Sequence, residues 1–88
     1  MKSTMRILDI GRKIWELPNG KKHREDGPAI EGYDGSKEWW VNGKYHREDG
    51  PAIEYANGVK SWWLNGSEYT QQEHKLEMRS IKLKQLLG

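Results

Sequence analysis

The chain has 88 residues and a net charge of +2, with 15 Lys and Arg interspersed among 13 Asp and Glu, and it contains no Cys. A chain this short is one small domain with a thin core, because it buries only roughly 60% of the surface its unfolded form exposes. The missing Cys excludes a disulfide framework and thiolate chemistry. The mixed charge lacks the concentrated basic stripe of a nucleic-acid binder, and no run approaches the ~20 apolar residues of a membrane span. Mean hydropathy is -1.04 with 32% charged residues, values that lean toward disorder. Five Trp and four Tyr oppose that reading, since each ring buries about 150–250 Å². Phe is absent, so every aromatic ring carries a polar handle.

In chain order, "MKSTMRILDIGRK" lacks the apolar run of a signal peptide, and a cytoplasmic protein is expected. "RILDI" and "RKIWEL" predict a first hairpin bent at Gly11. "PAIEGY" to "SKEWWV" and "PAIEYA" to "VKSWWL" predict two more, turning at Asp34-Gly35 and Asn57-Gly58, pairs suited to a type I′ turn with positive φ at both central residues. Asn-Gly pairs at 19, 42 and 65 end the outgoing strands and return the chain to a "KxHREDGP" connection, whose Asp-Gly-Pro suits a turn. Thr70-Gln71-Gln72-Glu73 is a capping box that opens a helix to about Leu87. At 100° per residue Leu76, Leu83, Leu86 and Leu87 share a stripe expected to lie on the sheet. Met78 and Ile81 fall on the opposite side with His74 and Gln85, a ridge that either packs under a loop or meets a partner.

The chain repeats itself. Residues 23–45 align without gaps on 46–68 with 15 of 23 positions identical, and "HREDGPAIE" recurs unchanged at His23 and His46. Residues 1–22 hold a degraded copy: in "GRKIWELPNGKKH", which runs into the next unit's first residue, Gly11, Trp15, Asn19, Gly20 and His23 match Gly35, Trp39, Asn42, Gly43 and His46 once Pro18 is taken as an insertion. The expected fold is therefore β-rich α+β: one domain, an antiparallel meander of about six strands built from 23-residue hairpin repeats, capped by a helix over 70–87.

"DGPAIEYANGVKSWWLNG" resembles the second class of MORN repeats, and the form beginning His-Arg-Glu-Asp-Gly-Pro resembles that of tailed phages and large DNA viruses. The resemblance spans about residues 11–74. It implies an elongated β-sheet used for protein-protein contact, with membrane-lipid association in some relatives and antitoxin-like character in some bacterial ones. The Gly-rich Tyr-x-Gly spacing of the first MORN class is missing here, which counts against a lipid role.

The His-Arg-Glu-Asp clusters invite a metal reading, with His23 and Glu25, or His46 and Glu48, on one face beside Asp26 or Asp49. The spacing is unspecific and lacks Cys/His at structural-zinc intervals, so no metal or other cofactor is expected. The connector reading is preferred: Asp26 and Asp49 accept from turn amides, Pro28 and Pro51 start strands, His23 and His46 link strands, and Arg24 and Arg47 reach a neighbouring unit's carboxylate or carbonyl. No nucleophile setting, phosphate loop or buried acid/base pair is evident, so an enzyme is not expected.

The Trp pattern is sharper. Trp15, Trp39 and Trp62 hold equivalent positions, expected over the core under the helix, while Trp40 and Trp63 point to the other face. That second set is either shielded by Lys37 and Lys60 through cation-π stacking or forms a binding patch. The expected function is a small non-enzymatic interaction module that blocks a host protein, with candidate contacts at Trp40, Trp63, Arg24, Arg47, Met78 and Ile81. A phage-encoded inhibitor of a host defence complex, such as an anti-CRISPR, is the specific form the resemblance suggests. A ligand-binding module for a nucleotide, sugar or lipid headgroup, an antitoxin-like protein, and a homo-oligomer paired through open sheet edges are the alternatives.

Overall fold

A computed structural model describes residues 2–8 and 11–87, and the Leu87 side chain is left out of the description. Its strands are β1 (Thr4–Ile7), β2 (Lys13–Glu16), β3 (Ile30–Glu31), β4 (Lys37–Glu38), β5 (Trp40–Val41), β6 (Lys44–Tyr45), β7 (Ile53–Glu54), β8 (Lys60–Leu64) and β9 (Ser67–Tyr69), followed by helix α1 (Gln71–Leu87). Seven strands form one antiparallel sheet in the order β1-β2-β3-β4-β7-β8-β9, and β5-β6 stand aside as a separate pair. The β-rich α+β architecture is as read from the sequence. The strand count rises from about six to nine among the described residues because Trp39 interrupts the ladder and splits the second hairpin's return strand into β4 and β5, and because the chain pairs again after Asn42-Gly43 and Asn65-Gly66 to form β6 and β9.

Two kinds of turn alternate, and their assignment differs from the sequence reading. Positive φ at both central residues occurs at Asn42-Gly43 (52° and 79°) and Asn65-Gly66 (51° and 82°), the two-residue turns joining β5 to β6 and β8 to β9. At Asp34-Gly35 and Asn57-Gly58 only the glycine is left-handed. The Asp34 Oδ1 accepts the Ser36 amide at 3.0 Å and the Asn57 Oδ1 accepts the Val59 amide at 3.0 Å, bonds that hold each Asx in a right-handed turn before its glycine. Pro18-Asn19-Gly20 closes the same way, with Leu17 N–H donating to the Lys21 carbonyl at 2.9 Å. Gly11 is also left-handed, at φ 82°; Asp9 and Ile10, within the first predicted hairpin, lie outside the described residues.

The core follows the repeat. Ala29 and Ala52 are fully buried, and Ile30 and Ile53 beside them join Ile14, Leu17, Leu64 and Met78. The alanines sit where their carbonyls accept the Trp15 and Trp39 amides at 2.8 and 2.7 Å, a spot with no room for a larger side chain between strands.

The capping box forms as read: the Glu73 carboxylate accepts the Thr70 amide at 2.8 Å and Thr70 Oγ1 accepts the Glu73 amide at 3.1 Å. The buried face of α1 is the reverse of the expected one. His74 and Met78 are buried and Ile81 is half-buried, whereas Leu76, Leu83 and Leu86 are exposed. Apolar residues lie all round this helix, so hydrophobicity alone does not choose a face. The choice falls to His74, whose Nε2–H donates to the Arg47 carbonyl at 2.6 Å and fixes the rotation.

Candidate functional site

The repeated connector is a lattice of polar contacts that recurs in both units with one difference, at the histidine Nε2. His23 Nδ1 accepts the Asn42 amide at 3.0 Å and His46 Nδ1 accepts the Asn65 amide at 3.0 Å, so each Asn-Gly tip is clipped to the connector that opens its own unit. The adjoining glycines reinforce the clip, Gly43 N–H donating to the Lys22 carbonyl and Gly66 N–H to the Tyr45 carbonyl, both at 2.9 Å. An Nδ1 that accepts leaves Nε2 carrying the proton in the neutral ring. At His46 that Nε2–H donates to Glu48 at 3.2 Å. At His23 it faces Glu25 at 3.4 Å without completing a hydrogen bond. Neither ring nitrogen has a free lone pair, which leaves a metal ion no ligand at either histidine.

Arg24 and Arg47 complete the connector. Arg24 donates through Nε to Asp26 at 3.0 Å and through Nη1 to the Pro28 carbonyl and Glu31, both at 3.2 Å. Arg47 does the same with Asp49, the Pro51 carbonyl and Glu54 at 3.0, 3.1 and 2.9 Å. The carboxylates come from the arginine's own unit, not the neighbour's as the sequence suggested. What reaches across is the guanidinium plane, 3.8 Å from the Trp15 ring for Arg24 and 3.8 Å from the Trp39 ring for Arg47. The glycine of Asp-Gly-Pro is explained by the same stack. Gly27 and Gly50 are not left-handed; a Cβ there would stand 3.0 Å from the Arg24 or Arg47 guanidinium carbon.

The other face carries an aromatic ridge in which Tyr45 lies between Trp40, at 4.0 Å between centroids, and Trp63, at 5.1 Å. Both indoles are half-buried, and their N–H groups are engaged within the ridge, Trp40 with Glu38 at 3.0 Å and Trp63 with Ser61 at 2.9 Å. Lys22 lies 5.3 Å over Trp40, in place of the Lys37 and Lys60 expected to shield this face. The Tyr45 hydroxyl donates to Glu38 at 3.1 Å. Burial, with the Glu38 charge beside it, pushes the Tyr45 phenol up to about 12. Asp34 is held below the usual carboxylate value, chiefly by the Ser36 backbone amide.

Of the expected contact residues, Met78 is corrected to a core position, 8% exposed and beyond a partner's reach. Ile81 is half-buried on the same ridge, and Arg24 and Arg47 are held in their forks. The exposed large apolar side chains are instead Leu76, Leu83 and Leu86 on α1, Met5 and Ile7 on β1, and Tyr33, Tyr55 and Val59 around the hairpin turns. Glu31 and Glu54 were missed as partners of the arginines, although both close the unchanged "HREDGPAIE" string and that identity was the available signal.

These features define a hairpin-repeat array whose units are fastened by a His-Arg connector and closed by a helix. No protein-family model matches the chain, and no curated protein or solved structure matches it either. The likeness to MORN repeats therefore rests on the repeat strings alone.

Proposed function

We propose that the chain is a non-enzymatic protein-interaction module that offers the outer face of α1 to a partner protein. The observation that carries this reading is the exposure of Leu76, Leu83 and Leu86, at 56%, 54% and 84%, on a helix whose other ridge is already docked. A small domain gains nothing in stability from three solvated leucines on one helix, and such surface is typical of contact sites. Lys75, Arg79 and Lys82 run along the same helix and suit a partner with acidic residues around an apolar groove. The His Nδ1 atoms and the Arg forks of the connectors are engaged internally, which turns the array into a rigid support for that face. The narrower reading, a phage-encoded chain occupying the surface of a host defence complex in the host cytoplasm, rests on the family resemblance.

The test is affinity capture with wild type and a Leu76→Ser/Leu83→Ser variant, with circular dichroism to verify that the helix persists. Loss of specific prey in the variant supports the reading. Equal retention by both baits refutes it.

A second reading, self-association through an open edge, is favoured by β1, whose four residues are all exposed, Met5 and Ile7 among them. Sedimentation that stays monomeric across concentration would remove it.

A further inference from the structure

The repeat predicts an arginine where the chain has none. Trp15, Trp39 and Trp62 are equivalent, and Arg24 and Arg47 cover the first two rings at 3.8 Å each. One 23-residue period beyond Arg47 stands Thr70, which ends the connector and caps α1. Among the described residues no cation lies over the Trp62 ring. The backbone around it is nevertheless that of the other units: Tyr69 pairs with Trp62 in the ladder as His46 N–H bonds the Trp39 carbonyl. In place of the missing side chain is an open cleft lined by Trp62, Tyr69, Thr70, Glu68 and Glu73, with Lys60 and Ser61 at its strand edge. A matching cleft at the other end of the array is lined by Trp15, His23, Arg24 and Glu25, and there the arginine is present.

We propose that the cleft over Trp62 receives the guanidinium of an arginine side chain from a partner protein. The required chemistry is all in place. The indole offers a π-face to a planar cation. Glu73 lines the cleft, is exposed and supplies a carboxylate of the kind that Glu31 and Glu54 give the resident arginines, whereas Glu68 pairs with Trp63 in the register of the other face. The α1 N-terminus, whose dipole would oppose a cation, has the Thr70 and Glu73 amides answered by the capping box, with the Glu73 carboxylate beside them. Lys60 can place one compact ammonium at the rim but cannot reproduce a flat fork, which favours arginine over lysine. The site is separate from the α1 leucines, so its test can fail while theirs succeeds.

The experiment follows the five indole N–H resonances of the labelled full chain, with Trp62 assigned by Trp62→Phe, during titration with acetyl-Gly-Arg-Gly-amide, its lysine counterpart and free arginine. The expected result is a saturable shift of the Trp62 signal with a Kd on the order of millimolar, as suits one half-exposed side chain. The lysine peptide should bind several-fold more weakly, and so should the arginine peptide to Glu73→Gln, in which glutamine keeps the capping box. Tighter binding of the peptide than of free arginine points to a protein partner. The reverse order overturns that source in favour of a small ligand. Thr70→Arg fills the cleft from within and should abolish the peptide's effect; dispersed indole signals verify that this variant folds despite its altered cap. Equal shifts at all five indoles, equal response to both peptides, or undiminished binding by Thr70→Arg would each overturn the proposal.

Discussion

His46 accepts the backbone N–H of Asn65 on its Nδ1 across 19 residues, at 3.0 Å, and His23 repeats the bond with Asn42. A side chain closing the turn amide near the far end of its own unit is a long-range substitute for a ladder hydrogen bond. It lets a two-residue hairpin be held at its tip as well as at its base.

Replacing His23 by Phe keeps a ring of similar shape and removes the acceptor, leaving the Asn42 amide unanswered. The expected cost is about 1–3 kcal/mol. It should be smaller for His46→Phe, because the His23 side chain is 7% exposed against 18% for His46. Urea denaturation followed by Trp fluorescence measures both. Unchanged midpoints would mean that the clip adds nothing to stability.

Arg47 stacks on Trp39 and holds Asp49, the Pro51 carbonyl and Glu54 at once. Lysine keeps the charge and loses both the plane and the fork, so Arg47→Lys should destabilise by roughly 1–2 kcal/mol. Gly50→Ala should do the same through a different cause, since its Cβ would lie 3.0 Å from the guanidinium carbon while its backbone has no need of glycine. The double variant Gly50→Ala/Arg47→Lys should cost less than the two singles together, because each removes one stack. Strict additivity would show that the glycine serves another purpose.

What could be read in the letters divides by range. The hairpins, the repeat, the Thr70–Glu73 cap and the helix were legible, because Gly, Asn, Pro and Thr impose local backbone geometry. The type of each turn was not, since Asn57 and Asn65 are the same residue before the same glycine. They differ in that the Asn57 Oδ1 holds the Val59 amide, while the Asn65 amide is taken by a histidine 19 residues earlier. The connector's role was legible from its recurrence, which also marked Glu31 as part of it, but the geometry was not: nothing in the period shows that Arg24 would fork to Glu31 and lay its plane on Trp15. The helix rotation was misread because one polar contact, from His74 to the Arg47 carbonyl, outweighs the distribution of leucines.

Tyr45 gives the aromatic ridge an alkaline limit. Its phenol is pushed from 10 to about 12 in the folded chain, so folding favours the protonated form. The associated stability is fully present below the unfolded value of 10 and is lost as pH rises through about 12. Thermal denaturation across that window should show wild type losing stability faster than Tyr45→Phe, and ultraviolet titration should find one late tyrosinate. A parallel decline in both proteins would place the sensitive group elsewhere.

The orientation of α1 can be decided by two truncations of comparable size. Met78 is 8% exposed and packs against the sheet on the ridge begun by His74, so Met78→Ala removes buried apolar surface and should cost about 2–3 kcal/mol. Leu83 is 54% exposed, and Leu83→Ala should change stability by no more than about 0.5 kcal/mol, since alanine also favours the helix slightly. Had the leucine stripe faced the sheet, the two costs would be exchanged. Denaturant midpoints at constant m-value separate the alternatives, and a larger loss for Leu83→Ala than for Met78→Ala would return the helix to the opposite face. It would also put the leucines out of reach of any partner, because a side chain that holds α1 to the sheet cannot at the same time present itself to a second protein.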